Sequence, residues 1–472
     1  MVQTATLRAI EIQALPVTRE ALHYGVRELA RRAGVSADQF RTWRIQFDDF
    51  GGMTLFVKPG TQKRIVIPKV PAPIWADILA GQFRISTASW MKPPATTLHA
   101  GTLEFRIPFS SSGRSHVGPL FFMSEPDSVE CAVNLPLSAI LTLSRFEETL
   151  PSHRDEHGRF RTASSVAWAG GFHDRPIVDE YGLALEQALR ALLPGWQPAR
   201  REFRVMLGHD VDEIGLPFNL RSAIAHTFRR MNPASTVRDL VAPLTGVDTT
   251  YAHLLREIVS LSIEHRLSST VYWKCSTKGP HDTGYDLRDP RILAMIQSFR
   301  DQGVRLGVHP GYETYGRPAR FASEVRAVTD LLGTRNVGGR QDFLRWDPSC
   351  WLKWEAEGLA YDASVGFADW IGFRAGTAQP YRPWLLQENR EAALLEIPIT
   401  AMDSAMHGYM KLSADEALLK LRSYAARCRA VAGVFHLVWH STTMMNPGYA
   451  RTYKTLLKEL AGSPACEISD AC

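Results

Sequence analysis

Cysteine is scarce in this chain: six residues in 472, at Cys131, Cys275, Cys350, Cys428, Cys466 and Cys472. None form a CxxC pair or a metal-finger spacing, so a zinc-ribbon or dithiol redox protein is excluded. The pattern fits reduced, mostly buried thiols of a cytoplasmic protein. Cys466 and Cys472 bracket a short tail and would pair only in an exported protein; we expect them not to. Long apolar runs are missing as well. Arg8, Glu11, Arg19 and Glu20 interrupt any signal-peptide core in residues 1–30. No stretch approaches the ~20 apolar residues that span a bilayer. The expectation is a soluble, cytoplasmic protein with no membrane span. Charge of one sign is also lacking: 54 Lys and Arg against 49 Asp and Glu leave a net +5, with the arginines scattered. That argues against nucleic acid as the main partner and leaves room for a small anionic substrate. Repeats and low-complexity tracts are absent, which excludes a solenoid.

What is there is ordinary globular material, 45% hydrophobic and 22% charged, in a chain too long for one typical domain. Before residue 200 a helix over Glu20 to Gly34 precedes short alternating segments at Trp43 to Phe47, Met53 to Val57, Arg64 to Pro68 and Leu103 to Pro108. Val129 to Leu150 reads as a strand leading into a helix. Pro151 to Arg175, polar and Gly-rich, reads as a long surface loop. Ile177 to Leu193 is an amphipathic helix stopped by Pro194-Gly195, and Pro194 to Glu202 is the best linker. Beyond it, strands alternate with helices of 10–15 residues, the signature of parallel βαβ units; about seven of them suggest a barrel. The expected division is an α/β module over 1–200, a barrel over 203–462 and a tail over 463–472.

In such barrels the chemistry sits where strands end. The apolar run Phe203 to Leu207 ends in Gly208-His209-Asp210-Val211-Asp212, two carboxylates on one face of an extended chain. They suit a metal and a proton-handling role, or plain capping of a following helix. Other runs end in His309, Arg340 with Asp342, and His440, so all would meet at one rim.

The order Asp-x-Asp, His after an apolar strand, Arg, Asp-Trp, then His resembles the NodB-homology polysaccharide deacetylases of carbohydrate esterase family 4. More narrowly, it is similar to two-domain bacterial members encoded near surface-polysaccharide genes. The matching segments include Leu143 to Glu148, Arg154 to Phe160, Asp174 to Tyr181, His209 to Asp212, Gly307 to Tyr312, Tyr361 to Asp369 and Gly372 to Thr377, and the likeness covers roughly residues 130–445. The resemblance implies a distorted (β/α)7 barrel behind a smaller α/β domain. It implies a metal-dependent hydrolase that removes an N-acetyl group from a sugar, nucleotide- or lipid-linked, in surface-glycan assembly. A divalent ion is implied too, zinc first, with manganese, iron or cobalt also suited.

By the same resemblance Asp210 is the general base, Arg340 its charged partner, Asp212 and His309 metal ligands, and His440 the acid, oriented by Asp369. His209, Trp370, Arg374 and Trp439 are substrate-binding candidates; His209 equally suits packing at the rim, Trp370 and Trp439 the core, and Arg374 the solvated surface. The segment Arg154 to Phe160 either reaches the cleft or staples the two domains. The chain departs from the family where a second His, four residues after the first, would ligate: Glu313 stands there. Either Glu313 or Asp342 is then the third ligand. With neither, the protein would be a catalytically silent scaffold; a same-fold hydrolase acting on another acyl bond is a further alternative.

Overall fold

The computed structural model describes residues 18–48, 51–91, 104–214, 248–276, 279–282 and 284–466. Cys472, and with it the pairing with Cys466, lies outside them. Thr18 caps the first helix, Arg19–Arg32, by accepting from the Ala21 amide at 3.1 Å. Leu22, Val26 and Leu29, spaced four and three residues apart, bury one face of it against the helices Leu135–Leu143 and Ile177–Leu192. Eight short strands surround this helical layer: β1 (Arg44–Phe47), β2 (Met53–Phe56), β3 (Arg64–Ile67), β4 (Ser86–Ser89), β5 (Glu104–Ile107), β6 (His116–Pro119), β7 (Phe121–Glu125) and β8 (Ser128–Cys131). They form a five-stranded sheet in the order β1-β2-β3-β8-β7 and a three-stranded one, β5-β4-β6.

The second half is a parallel sheet flanked by helices, the mixed α/β architecture expected. Its strands are β9 (Arg204–Val211), β10 (Ser269–Trp273), β11 (Arg305–Val308), β12 (Gly338–Gly339) and β13 (Tyr361–Asp362). After a small hairpin of β14 (Trp384–Leu385) and β15 (Arg390–Glu391) come β16 (Leu395–Glu396), β17 (Ala401–Met402) and β18 (Val434–Val438). The order is β16-β13-β12-β11-β10-β9-β18-β17, every pair parallel.

The two edge strands are only a few residues apart in sequence, and an extended chain reaches at most ~3.6 Å per residue. The sheet must therefore curl. Ile397 N–H donates to the Asp362 carbonyl at 2.9 Å, and Thr400 N–H to the His436 carbonyl at 3.0 Å. Leu395 to Met402 thus acts as one interrupted strand that ties the two edges together. Inside lie Met206, Tyr272, Tyr361, Leu395, Val434 and Cys466. Residues 463–466, expected as part of a free tail, instead plug this end: Ala465 bridges Val205, and the Cys466 carbonyl accepts from Arg305 at 2.7 Å.

Buried charges join the two halves. Arg32, fully buried, bonds Glu28 at 2.5 Å and Asp179 at 2.7 Å. Asp179 also accepts from Thr377 Oγ1 and the Ala378 amide, both at 2.6 Å. Glu148 takes both arms of Arg374, at 2.9 and 2.5 Å, and Arg145 at 2.8 Å. One apolar core runs through both halves.

Pro151 to Arg175, expected as a long surface loop packed on the barrel, does pack on the second half of the chain, through Thr162 with Asp369 and Arg159 with Phe343, but it is more buried and ordered than a surface loop. It contains an Arg154–Phe160 bridge and a short helix, Val166–Ala169. It buries Phe160, Thr162, Ser165, Ala167 and Phe172. Its polar side chains made it read as solvated, yet they are satisfied inside: Thr162 bonds Asp369, and Glu147 accepts from the Val166 amide at 2.7 Å. Of the described cysteines, Cys275 is half-buried and the others are buried. Among the described residues no helix is long and apolar enough to cross a membrane.

Candidate active site

Register builds the site. Val211, Trp273, Val308 and Gly339 lie side by side across β9 to β12. One residue further on, the strand tips therefore present Asp212, Lys274, His309 and Arg340 along one rim. The next strands round the barrel add Asp403, after β17, and His440, after β18.

Asp212, His309 and Asp342 offer one ligand atom each, all within 4.8 Å of one another. His309 Nε2 stands 3.2 Å from Asp212 Oδ1 and 3.3 Å from Asp342 Oδ1. Atoms that ligate one ion at about 2.1 Å stand roughly 3.0–3.4 Å apart in octahedral or tetrahedral geometry, so the spacing fits a divalent metal. The second shell fits too: His309 Nδ1–H donates to the Arg340 carbonyl at 2.7 Å, which turns Nε2 toward the cluster. Burial opposes a charge on His309, but Asp210 and the bonds to Asp212 and Asp342 outweigh it and raise its pKa to about 10.

Lys274 was not foreseen. Its buried ammonium lies 3.2 Å from Asp212, 3.2 Å from Asp282 and 3.0 Å from Asp342. It contacts the carboxylates of both Asp212 and Asp342, and the three acids keep it charged against the pull of burial. The signal was available, since Lys274 directly follows the apolar strand Ser269–Trp273, as His309 follows its own.

Asp210 is buried, 2.5 Å from Arg340 Nη1. Burial alone would push its carboxyl up; Arg340, with His309 and His440, holds it below the ordinary value. Arg340 is fixed on every side. Its Nε donates to the Ala363 carbonyl at 3.1 Å, Nη2 to His436 Nε2 at 2.9 Å, and its Cζ lies 4.5 Å from the Tyr272 ring centroid. His436 can accept because burial, then Arg340, push its pKa down to about 3 and keep it neutral. Gly208 makes the arrangement possible: a Cβ there would sit 2.5 Å from Arg340 Nη2.

His440 Nδ1–H donates to Asp403 Oδ1 at 2.6 Å, and its amide to Asp403 Oδ2 at 2.8 Å. Nε2 faces the acids, 3.8 Å from Asp210 and 3.7 Å from Asp212. Burial opposes its charge; Asp403, then Asp212 and Asp210, raise its pKa to about 9. It is a protonated donor at neutral pH.

Several expectations are corrected. Asp369 does not orient His440; it accepts from Thr162, at 3.3 Å from the amide, and Asp403 takes the orienting place. Glu313 turns to Arg317 at 2.9 Å, because Tyr312–Thr314 is a single 3-10 turn after Pro310 and Gly311 and does not bring the fourth residue back to His309. His209 points to the opposite face of β9 from Asp210. It is fully buried, donates from Nδ1 to the Trp439 carbonyl at 2.9 Å, and burial lowers its pKa to about 4. Trp439 is core, stacked 4.9 Å from Tyr453. Trp370 packs on Trp168 at 5.1 Å. Arg374 is held by Glu148 between the two halves. None of these four lines the cleft.

The cleft itself, about 270 Å³, is walled by Asp210, Asp212, His309, Asp342 and His440 with Gln341, Phe343, Met402, Ser404, Tyr409 and Thr443, and by Arg159 from the first half. Phe343 and Leu344 both carry positive φ, 56° and 51°. Two successive non-glycine residues in the left-handed region are uncommon and strained, directly after the cluster residue Asp342.

Residues 54–194 match the model of a family of unknown function, DUF7033. No curated protein matches the chain. Among solved structures, the chain is similar to a protein described as a polysaccharide deacetylase from Mycobacterium smegmatis, at 14% identity and a TM-score of 0.38, over 57% of this chain and 87% of that one. A protein described as a polysaccharide deacetylase involved in O-antigen biosynthesis, from Bordetella bronchiseptica, gives 12%, 0.31, 57% and 88%. Puue allantoinase gives 14%, 0.37, 56% and 85%. Scores of this size leave the function to be read from the site.

Proposed function

We propose that the protein is a metal-dependent amidohydrolase of the NodB-like kind that removes an N-acetyl group from a sugar in bacterial surface-glycan assembly. The observation that carries this reading is the convergence of an Asp-His-Asp cluster, an Arg-paired buried aspartate and an Asp-paired histidine on one cleft. Asp212, His309 and Asp342 would hold a divalent ion, zinc before manganese, iron or cobalt. When bound, such an ion supplies Lewis acidity and lowers the pKa of water toward neutrality.

The chain's own residues do the rest. Asp210, kept ionised by Arg340, accepts a proton from the attacking water at its free oxygen, Oδ2. His440, protonated at Nε2 and fixed by Asp403, delivers a proton to the departing amine. With Nε2 3.8 Å from Asp210 Oδ2, base and acid can serve the same reacting amide from one side of the cleft. Lys274 keeps two ligand carboxylates in place. The substrate is an N-acylated sugar, nucleotide- or lipid-linked, rather than nucleic acid.

A second reading draws on Lys274. Its ammonium already contacts both carboxylate ligands, an arrangement that would satisfy them in a silent relative that binds no ion. Purified protein tested for acetate release from a panel of N-acetylated sugars, with added zinc or manganese and after chelation, separates the two. Acetate release that chelation abolishes supports the hydrolase; a protein that binds no ion and releases no acetate supports the silent relative.

A further inference from the structure

Most charged groups that wall the cleft are used by the proposed chemistry; Arg159 is not. It comes from the first half of the chain, within the strap that follows Leu150, and its side chain is 5% exposed. Asp155 fixes it, accepting from Nε at 2.6 Å. Asp155 is fixed in turn by the His157 and Arg159 amides at 3.0 and 2.9 Å. The far end of the guanidinium is turned to the cleft. Nη1 donates to the Phe343 carbonyl at 3.3 Å, beside the ligand Asp342, and Nη2 donates to the Tyr409 hydroxyl at 2.8 Å.

A guanidinium has five N–H groups, two of them on each terminal nitrogen. These contacts use one hydrogen on each terminal nitrogen, so a second remains on each for an acceptor such as a carboxylate or phosphate oxygen. Tyr409 extends the site. Its hydroxyl accepts from Arg159, which leaves its own proton to donate elsewhere, and the residue is 46% exposed at the cleft. Ser404 and Thr443 add hydroxyls to the same lining. A cation held this rigidly in the wall of the cleft, with donor hydrogens left over, has an anion as its natural ligand.

We propose that Arg159, assisted by Tyr409, is the specificity determinant of the cleft and receives an anionic group of the substrate, a carboxylate or phosphate on or next to the acylated sugar. The inference rests on the hydrolase reading and narrows its substrate to an anionic N-acyl sugar. It also gives the first half of the chain a part in the site, because the barrel alone lacks this cation.

The test compares three probes on the zinc-loaded full chain: N-acetylglucosamine, its 1-phosphate, and the corresponding N-acetylated uronic acid. Wild type should show a kcat/KM at least about tenfold higher for one or both anionic probes, expressed mainly in KM. Arg159→Gln should collapse that ratio, Arg159→Lys should retain part of it, and Tyr409→Phe should lower it by a few-fold. The two anionic probes separate phosphate from carboxylate. Equal use of neutral and anionic probes by wild type, or an equal loss on all three in Arg159→Gln, overturns the proposal. Calorimetric binding of the same probes keeps the two readings distinct. Tighter binding of an anionic probe that Arg159→Gln abolishes, without turnover, sustains the anion site and counts against the hydrolase. Equal binding of all three probes defeats the anion site. Thermal unfolding of each variant, together with the milder Tyr409→Phe, distinguishes a lost contact from a lost fold.

Discussion

Asp210 and His440 divide the proton work, and their environments set opposite protonation states at neutral pH. Asp210→Asn or His440→Gln should each lower acetate release by about 100-fold or more while leaving divalent-ion binding unchanged. Asp403→Asn should approach the His440 variant, whereas Asp369→Asn should not. The pH profile should be bell-shaped and broad. Its acid limb lies below the ordinary Asp value of about 3.9, because Arg340 depresses Asp210. Its alkaline limb lies near the His440 value of about 9. An alkaline limb near 6.5 would show that Asp403 does not hold the imidazole protonated. Strand-tip residues such as Asp210, Asp212, His309, Arg340 and His440 were legible in the sequence, since each follows an apolar run. Asp403 was not, because β17 is two residues long and carries no run of its own; the Asp-Trp pattern points instead to Asp369 as the partner of His440. The choice between substrate binding and packing for His209 is not legible in the sequence for a different reason: adjacent strand residues face opposite ways, and only the register tells which way is inward.

At the level of elements, β9 delivers the acids only because Gly208 leaves room for Arg340 beneath it. Gly208→Ala should push the guanidinium off Asp210 and reduce turnover about as much as Arg340→Ala, with ion binding kept. Turnover within twofold of wild type would mean that Arg340 does not set the base. The helix–strand alternation that forms the parallel sheet was readable from apolar periodicity, including the ends of most strands. The closure through Leu395 to Met402 was not, since it depends on hydrogen bonds from Ile397 and Thr400 to two distant strands. The burial of the strap Pro151 to Arg175 is not legible in the sequence, because composition reports polarity but not partners. Its neighbour Glu148 holds Arg374 and Arg145 in the interior. Glu148→Ala, which leaves two buried guanidinium groups short of a partner, should cost about 3–5 kcal/mol in denaturant unfolding.

For the whole molecule, the site's charges write themselves into the stability curve. His309 and His440 carry folded-state values of about 10 and about 9, above the unfolded value of about 6.5. Their contribution is therefore complete below pH 6.5 and is lost as pH rises through 9 to 10. Chelated protein should show a melting temperature that falls across that window. A divalent ion requires a neutral His309, so saturating zinc should raise the melting temperature and flatten the fall. A barrel fragment from residue 203 onward should lack a cooperative melt, because it abandons Arg374 and the apolar face shared with the first half. The most direct measurement is the stoichiometry and affinity of zinc binding in the full chain and four single variants. One ion per chain is predicted, weakened at least about 100-fold by Asp212→Ala, His309→Ala or Asp342→Ala, and unchanged by Glu313→Ala. Unaltered binding in Asp342→Ala, or no binding in the wild-type chain at all, would contradict the account.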